Sequence, residues 1–401
     1  MDFDVLQPLI KKNDSKIVFL IMDGIGGLPN EENNTELEAA YTPHLDKLAE
    51  ESICGLQTPV ATGITPGSGP GHLGVFGFDP IQFQVGRGVL AANGIGFDLQ
   101  HGDVAARGNF CTVDEQGNVT DRRAGRISTE KNQQLCALLR DNVSIPGVEV
   151  FIETVKEHRL LLVLRGKNLS GKIKDTDPQE TGVPPLSPKT TDKDADHTVD
   201  LIDEFLSQAQ SILKEKHPAN MVLLRGFSER PKWPVMQECF GLKSAAIAAY
   251  PMYRGLAKLI GMDVIETGQS IEDELQTLEA HWDDYDFFYL HVKKTDSYGE
   301  DGNFESKKEV IEEVDRLIPR LRKLQPDVIV VTGDHSTPSK LAFHSWHPVP
   351  VLLWSEVCRK DEVSLFGERA CLKGGLGPRF PAVDLMVLAL ANAKRLEKFG
   401  A

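Results

Sequence analysis

The sequence predicts an α/β protein built on a mostly parallel sheet with helices on both faces, interrupted by a smaller inserted α+β domain. Three observations predict this fold: short apolar runs at 16–22, 287–292 and 327–331, helical patterns between them, and a middle segment of different composition. Each run is too short for a buried helix and is rich in β-branched residues, as in strands buried on both faces. Alternation of such strands with helices is typical of a parallel sheet.

The elements follow in chain order from these patterns. The first run, KIVFLIM, ends at Asp23, and a helix is predicted next, with Thr42 as its N-cap and Pro43 at its first position. The remaining predicted elements are helices over 307–324 and 384–398 and a fourth strand over 349–354.

The middle of the chain predicts the insertion. Residues from about 83 to 175 are rich in Gly and Arg, with alternating stretches at 148–153 and 160–165. The segment 181–193, TGVPPLSPKTTDK, has the composition of a linker. We therefore predict a large domain formed by 1–82 and 186–401, with an inserted domain over 83–185, the two closing over a cleft.

Composition narrows the functional classes. The 401 residues carry 44 Lys and Arg against 59 Asp and Glu, a net charge of −15, which argues against a general nucleic-acid binder. No apolar run approaches the roughly 20 residues that span a bilayer, and MDFDVLQPLI lacks the basic stretch of a secretion signal. Six scattered cysteines without a CxxC pair indicate reduced thiols. We expect a cytoplasmic enzyme acting on a small molecule, without nucleic-acid or membrane partners; both monomer and homo-oligomer stay open.

Carboxylates follow three of the predicted strands, at Asp23, Asp296 and Asp334. Ligands of open parallel sheets bind just outside the carboxyl ends of the strands, and converging carboxylates repel one another unless a cation neutralises them. His335 follows Asp334 directly, and His344 comes nine residues later. Because oxygen and imidazole ligands together suit Mn²⁺ or Zn²⁺ better than Ca²⁺, the set predicts a divalent metal site.

A candidate nucleophile, Ser68, lies in the segment TPGSGPGH. The flanking Gly67 and Gly69 allow a ligand to approach the backbone closely, and the apolar residues that follow predict a helix whose free N–H groups face an anion. A serine hydroxyl attacks phosphorus when a divalent metal lowers its pKa. Such a loop alone is more often a turn, but the acids and histidines downstream favour a nucleophile.

Further motifs extend over nearly the whole chain. They are IVFLIMDGIGGLP (17–29), TPHLDKLA (42–49), TGITPGSGPGHLGVFGFDP (62–80), GDVAARGNF (102–110), DRRAGRI (121–127), HVKKTD (291–296), TGDHSTPS (332–339) and HSWHPVPVLL (344–353). In this order they resemble the archaeal-type, 2,3-bisphosphoglycerate-independent phosphoglycerate mutases of the alkaline phosphatase superfamily. The resemblance implies an isomerase of glycolysis and gluconeogenesis that interconverts 3-phosphoglycerate and 2-phosphoglycerate through a phosphoserine. It also implies two divalent metal ions and no 2,3-bisphosphoglycerate.

The resemblance further implies the metal ligands. One site would use Asp23, Ser68, Asp334 and His335, with Ser68 as the nucleophile, and the other Asp296, Glu300 and His344. Glu300 departs from the family pattern TD-x-x-GHDG, which has a histidine there. A carboxylate favours harder ions such as Mn²⁺ or Mg²⁺ over Zn²⁺ or Co²⁺. His347 stands where the family has an aspartate and is an alternative imidazole donor.

Phosphoglycerate carries roughly three negative charges, so its site needs guanidinium groups despite the acidic chain. The inserted domain holds a dense set of arginines. The resemblance implies a substrate clamp formed by Asp103, Arg107, Arg123, Arg126, His158 and Arg159, with Lys243 reaching the phosphate from the large domain. Asp103 is expected to accept hydrogen bonds from the glycerate hydroxyls.

Two alternatives stay open. The first is a metal-dependent phosphohydrolase, or a phosphotransferase resembling homoserine kinases, on the same scaffold; Glu300 is the feature that favours it. The second is a phospholigand-binding paralogue without activity. Retention of Ser68, Asp23, Asp334 and His335 argues against the second.

Overall fold

The computed structural model describes residues 3–400, which form two units. Unit 1 runs to Gln84 and resumes at Trp233, and unit 2 comprises Val85–Lys232. Each unit has a buried apolar core of its own. Among the described residues, no helix combines the length and the apolar character needed to cross a bilayer.

The strands are, in chain order, β1 (Ile17–Met22), β2 (Ile53–Thr58), β3 (Val104–Val113), β4 (Val119–Asp121), β5 (Val148–Lys156), β6 (Arg159–Gly166), β7 (Met221–Glu229), β8 (Ser244–Ala248), β9 (Asp263–Ile265), β10 (Phe287–Val292), β11 (Val328–Thr332), β12 (Val349–Ser355) and β13 (Gly377–Pro381).

The α-helices are, in the same order, α1 (Phe3–Leu6), α2 (Glu36–Ala39), α3 (Pro43–Ala49), α4 (Ser68–Val75), α5 (Arg87–Gly94), α6 (Thr129–Asn142), α7 (Asp196–Leu213), α8 (Met236–Phe240), α9 (Pro251–Leu259), α10 (Ile271–Ala280), α11 (Lys294–Glu300), α12 (Phe304–Lys323), α13 (Glu368–Cys371) and α14 (Asp384–Asn392). Short 3₁₀ turns occur at Gln7–Leu9, Ala124–Arg126, Lys193–Ala195 and Trp282–Asp284.

Unit 1 is built on one sheet in the order β13-β2-β12-β11-β1-β10-β8-β9. The five strands from β11 to β9 are parallel to one another, while β12 runs antiparallel to both β11 and β2. Strands β1, β8, β10 and β11 are buried along their whole length, as expected for strands covered on both faces. The predicted mostly parallel fold class is confirmed, and β12 explains why the sheet is not wholly parallel.

Unit 2 contains an antiparallel sheet in the order β4-β3-β6-β5, with β7 paired to β3 as well. Helices α6 and α7 contribute Leu135, Leu139, Phe205 and Leu213 to the core beside this sheet. The two alternating stretches predicted from the sequence are confirmed as β5 and β6.

The predicted return to the large domain at residue 186 is wrong. Segment 181–193 is bound within unit 2, since Gly182 N donates to Val119 O and Leu186 N donates to Thr176 O. The chain then adds α7 and β7 to unit 2, and leaves it only after Lys232. The Pro- and Thr-rich composition therefore marks an irregular segment inside the unit, whereas pairing of β7 with β3 sets the boundary. The insertion begins at Val85 rather than residue 83.

The predicted helix over 384–398 ends at Asn392. Lys394 adopts a positive φ of 57°, and the Arg395 guanidinium donates to Ser15 Oγ and to the carbonyls of Asn13 and Ser15. These contacts direct the chain away from the helix axis toward the segment that precedes β1.

A buried carboxyl group in α10 makes stability depend on pH. Glu274 accepts a hydrogen bond from Ala249 N through Oε1, while its Oε2 has no partner. Burial raises the pKa of Glu274 to about 8. Because the folded-state pKa lies above the unfolded one, the group stabilises the fold fully below the unfolded pKa, and this contribution is lost as pH rises toward 8.

We therefore expect Glu274→Gln to unfold at a higher temperature than wild type at pH 8, with the difference shrinking or reversing at pH 5. One extra proton bound in the folded state corresponds to about 1.4 kcal/mol per pH unit. Thermal unfolding across this range measures the effect. Glu279→Gln, on the same helix, is the control and should show no such slope; a pH-independent difference for Glu274→Gln would contradict the expectation.

Candidate active site

The acidic residues meet at the carboxyl edge of the parallel strands. Asp23 directly follows β1, Asp334 and His335 come two and three residues after the end of β11, and Asp296 lies in the first turn of α11 after β10. Because β10 and β11 flank β1 in parallel register, all three connections leave the sheet at the same edge. The parallel arrangement therefore brings together residues that are far apart in sequence.

The first group consists of Asp23, Asp334 and His335, whose ligand atoms lie within 4.8 Å of one another. His335 Nε2 is 3.3 Å from Asp23 Oδ1 and 3.2 Å from Asp334 Oδ2. Ser68 Oγ lies 3.3 Å from the same nitrogen. Ser68 is the first residue of α4, and His72 Nδ1 lies 2.9 Å from the Ser68 carbonyl oxygen, one helical turn away.

The second group shares His335 with the first. Asp296, His335 and His344 place their ligand atoms within 4.8 Å of one another, with His344 Nε2 3.5 Å from Asp296 Oδ1. The imidazoles of His335 and His344 stack with centroids 3.7 Å apart. Glu300 Oε1 lies 3.6 Å from His344 Nε2, so the departure from the family pattern lies beside the second group, although Glu300 is not one of its three members.

Hydrogen bonds determine the tautomer of His335. The Thr337 hydroxyl donates to Asp296 Oδ1 at 2.6 Å and lies 2.9 Å from His335 Nδ1. With the hydroxyl proton committed to Asp296, we assign the His335 proton to Nδ1, donating to Thr337 Oγ1. This assignment leaves the Nε2 lone pair facing Ser68, Asp23 and Asp334, which is the arrangement of a metal-ligating histidine.

Burial and neighbouring charges shift the pKa values within the site in different directions. Burial lowers the pKa of His335 well below its usual range, so this imidazole is neutral. Burial opposes charge on His344 as well, but Glu300, the Pro66 carbonyl and Asp296 raise the pKa of His344 to about 9. Burial and the charge of Asp23 raise the pKa of Asp334 to about 6.

Sequence reasoning assigned no role to Lys293, which lies in the HVKKTD motif. Its Nζ donates to Asp23 Oδ2 at 3.1 Å, to Tyr253 Oη at 3.1 Å and also to Asp296 Oδ2. The ammonium thus binds one carboxylate from each group. Although burial would raise the pKa of Asp23, Lys293 and the neighbouring histidines hold it well below its usual range.

The donor set fits divalent metal ions. Asp23 Oδ1 is buried without a hydrogen-bond partner, and Asp334 Oδ2 is buried with His72 Nδ1 at 3.0 Å. Both oxygens lie within 3.3 Å of His335 Nε2. A buried carboxylate oxygen without a donor is costly. The ammonium of Lys293 and the imidazole of His344, with a pKa of about 9, do not balance the charges of the three carboxylates and Glu300. A cation between these atoms removes both costs.

Unit 2 contains a concentration of positive charge. Arg107 on β3 pairs in register with Arg225 on β7, and the Arg107 Nε is buried without a partner. Burial, with repulsion from Arg87, Arg159 and Arg225, lowers the pKa of Arg107 to about 10. Such repulsion is relieved when an anion binds.

Three further clamp candidates lie around His158. Burial, Arg159, Arg123 and Arg126 lower the pKa of His158 to about 4, and its Nδ1 is buried without a hydrogen-bond partner. Arg225, which sequence reasoning left out of the clamp, also contacts Asp175 at 3.4 Å and Asp177 at 3.6 Å. The segment LLRG at 223–226, one of the stretches that resemble the mutase family, was the available sequence signal for Arg225.

Two predicted substrate contacts do not fit their positions. Both oxygens of Asp103 are bound by Arg165 at 2.9 and 2.7 Å, and the side chain is 1% exposed, so it cannot receive glycerate hydroxyls as placed. Lys243 immediately precedes β8, which runs parallel to β10. Lys243 therefore lies at the amino edge of the sheet, where it packs on Tyr285, whereas Ser68 contacts residues at the carboxyl edge.

His347, the alternative imidazole donor, is not a member of either group among the described residues. Its Nδ1 lies 3.0 Å from Ser345 Oγ, and its ring stacks on the exposed Trp346 with centroids 5.0 Å apart.

Comparison with known proteins identifies the family. The model of a family described as 2,3-bisphosphoglycerate-independent phosphoglycerate mutase matches residues 49–220. A protein of Aquifex aeolicus, named a probable 2,3-bisphosphoglycerate-independent phosphoglycerate mutase, is 52% identical over 99% of this chain and 100% of its own. This chain belongs to that family. A Thermus thermophilus member of the same name is 51% identical over 100% of this chain and 99% of its own.

Two solved structures superpose on most of this chain. A Pyrococcus horikoshii protein superposes with a TM-score of 0.81 at 30% identity, covering 97% of this chain and 100% of its own. The cofactor-independent phosphoglycerate mutase of Thermoplasma acidophilum gives a TM-score of 0.75 at 30% identity, covering 94% of this chain and 100% of its own.

Proposed function

We propose that this protein interconverts 3-phosphoglycerate and 2-phosphoglycerate, without 2,3-bisphosphoglycerate, through a phosphoserine on Ser68. The observation that carries the proposal is the position of Ser68 Oγ, 3.3 Å from His335 Nε2 at the edge of the acidic cluster. Full-length relatives at about half identity are named as this type of mutase. Phosphoryl transfer to a serine requires a hydroxyl that lies beside groups able to activate it, such as a base or the ligands of a metal ion.

The ligand sets proposed for two divalent ions are Asp23, Ser68, Asp334 and His335 for one, and Asp296, His344 and Glu300 for the other. Bound ions would supply positive charge that lowers the pKa of the serine hydroxyl and offsets the charge on the phosphoryl oxygens. Because Glu300 offers a carboxylate, we favour Mn²⁺ over Zn²⁺, with Mg²⁺ and Co²⁺ as further candidates.

Ser68 Oγ forms a bond to phosphorus as the bond to O3 of the substrate breaks, and in net the serine proton passes to that oxygen. The phosphoryl group then returns from Ser68 to O2 of the same glycerate, and a proton returns to Oγ. His72 holds the first turn of α4 by contact with the Ser68 carbonyl. Helix α4 begins at Ser68 without a side-chain N-cap. Since Pro70 has no N–H and Gly71 N donates to Gly67 O, the N–H groups of Ser68 and Gly69 are the ones proposed to bind phosphoryl oxygens.

The arginine cluster of unit 2 is proposed to bind the anionic groups of the substrate. The candidates are Arg107, Arg123, Arg126, His158 and Arg159, to which we add Arg87 and Arg225. The mutual repulsion that lowers the pKa of Arg107 supports this role, because carboxylate and phosphate oxygens would neutralise the cluster. A cytoplasmic location is also proposed, since all six cysteines are free thiols.

Replacing the nucleophile tests the reaction. Ser68→Ala is expected to lower kcat by at least about 10³-fold, in an enolase-coupled assay with Mn²⁺ and without 2,3-bisphosphoglycerate. Wild type incubated with labelled phosphoglycerate should carry label on Ser68, and the variant should carry none. Ser306→Ala, on α12, is the control. Release of free phosphate by wild type in place of 2-phosphoglycerate would favour the phosphohydrolase alternative.

The metal preference tests the role of Glu300. We expect Glu300→His to raise activity with Co²⁺ or Zn²⁺ relative to Mn²⁺, because imidazole replaces a hard carboxylate ligand. Assays and metal titrations across Mn²⁺, Mg²⁺, Zn²⁺ and Co²⁺ measure the ratio. Glu305→His, at an exposed position five residues away, should leave the ratio unchanged. An unchanged ratio for Glu300→His would place Glu300 outside the coordination sphere.

The charge cluster of unit 2 makes a separate prediction. Arg225→Met is expected to lower kcat/KM about 10- to 100-fold, because a charge-assisted contact to the substrate is worth about 1.5–3 kcal/mol. Steady-state kinetics measure the loss, with Arg140→Met, an arginine of α6 paired with Glu153, as the control. Wild-type kcat/KM in the Arg225 variant would remove this residue from the binding site.

A further inference from the structure

A fully buried lysine lies beneath the two loops that carry the first group of site residues. Lys307 belongs to α12 and is 0% exposed. Its Nζ donates to the carbonyl oxygens of Gly24 at 2.9 Å, Gly26 at 3.1 Å and Thr337 at 2.9 Å. An ammonium has three N–H donors, so each donor is matched by one backbone acceptor.

These carbonyls belong to the segments that hold the proposed metal ligands. Gly24 follows Asp23 in the chain, and its N–H donates to Asp334 Oδ1 at 3.1 Å. Thr337 comes two residues after His335 and donates its hydroxyl to Asp296 Oδ1. Lys307 therefore connects the turn after β1 with the loop after β11, and both loops determine where the ligand atoms lie.

The same junction is crowded, which limits how the loops can adjust. Gly24 has a φ of 64°, and a Cβ at this position would lie 2.5 Å from Thr337 Oγ1 and 2.8 Å from Asp296 Oδ1. The Thr337 N–H donates back to the carbonyls of Gly24 and Gly26 at 3.1 and 3.0 Å. Without the ammonium, the Thr337 carbonyl would lose the donor that Lys307 provides, and the carbonyls of Gly24 and Gly26 would share the single Thr337 N–H. Loss of donors to buried carbonyls drives local rearrangement.

The ammonium is not part of a close ion pair. The nearest carboxylate contact is Glu36 Oε1 at 3.9 Å, and that oxygen already accepts hydrogen bonds from Ser339 N and Oγ. A buried charge costs free energy that a straight apolar side chain of similar volume would avoid. The hydrogen bonds to the three backbone carbonyl oxygens are therefore the main interactions of the Lys307 ammonium.

We propose that Lys307 is a positioning residue for metal binding, whose ammonium holds the loops 23–27 and 334–339 in the register that lets Asp23, Asp334 and His335 bind one ion. This inference rests on the proposed function, because it assumes that the first group binds a divalent metal.

The test is a Co²⁺ titration of metal-free protein, followed by visible absorption. Lys307→Met is expected to bind Co²⁺ about 10- to 100-fold more weakly than wild type, the range typical when support of a metal ligand is removed. Lys308→Met is the matched control, because Lys308 lies on the same helix and pairs at the surface with Glu305. Ile318→Ala, buried further along α12, should lower the unfolding temperature without changing Co²⁺ affinity.

Hydrogen exchange of metal-free protein provides a readout independent of any ion. Peptides covering 333–339 should exchange faster in Lys307→Met than in Lys308→Met, because the loop loses its connection to the turn after β1. If Lys307→Met does not fold, the same measurements are made on Lys307→Gln. The glutamine amide can donate to two of the three carbonyls, so this variant should show an intermediate loss of Co²⁺ affinity.

Wild-type Co²⁺ affinity and wild-type exchange in the Lys307 variant would overturn the inference. Equal losses of Co²⁺ affinity in Lys307→Met and Ile318→Ala would also overturn it, because they would indicate a general effect of stability. If wild type itself binds no Co²⁺ or Mn²⁺, the proposed function fails together with the inference. If wild type and the Lys307 variant bind Co²⁺ equally well, the inference alone fails.

Discussion

Electrostatic repulsion among buried carboxylates is the constraint on which the architecture of unit 1 depends. Asp23, Asp296 and Asp334 leave three adjacent parallel strands at one edge of the sheet. Asp23 Oδ1 has no hydrogen-bond partner, and Asp334 Oδ2 faces His72 Nδ1 at 3.0 Å. The surroundings oppose this repulsion through the ammonium of Lys293 and the hydroxyl of Thr337. This ammonium, these hydrogen bonds and the large apolar core of unit 1 offset the cost of gathering the charges.

Unit 2 presents the opposite problem, because there the crowded charges are positive. The charges of Arg87, Arg159 and Arg225 repel that of Arg107, and the carboxylates of Asp175 and Asp177 lie near Arg225. The charges of the two proposed sites are thus separated, with the carboxylates of the proposed metal site in unit 1 and the guanidinium groups of the proposed substrate clamp in unit 2. An overall net charge of −15 conceals this separation.

The parts of the site that could be predicted are those that follow from strand direction. Apolar runs ending in aspartate indicated the shared edge, because parallel strands bring their carboxyl ends together. His344 reaches the same edge for a different reason: it precedes β12, and β12 runs antiparallel to β11, which the sequence did not predict. The misplaced Lys243 has the same origin, since a residue before a parallel strand lies at the opposite edge.

Long-range pairing accounts for the other differences between prediction and structure. The inserted unit extends to Lys232 because β7 pairs with β3, and no local composition marks that contact. Asp103 has a guanidinium partner, Arg165, that lies at the far end of β6. The contacts of Lys293 and Arg225 also depend on partners that only the folded chain brings into reach.

The pairing of β3 with β7 also has a consequence for the order in which the chain acquires structure during synthesis. Unit 2 is continuous in sequence, so all of its strands have emerged once β7 leaves the ribosome. Strand β1 is synthesised first, but it cannot pair with a neighbouring strand until β10 or β11 has been synthesised. The insertion can therefore fold while the amino-terminal strand is still an unpaired apolar segment.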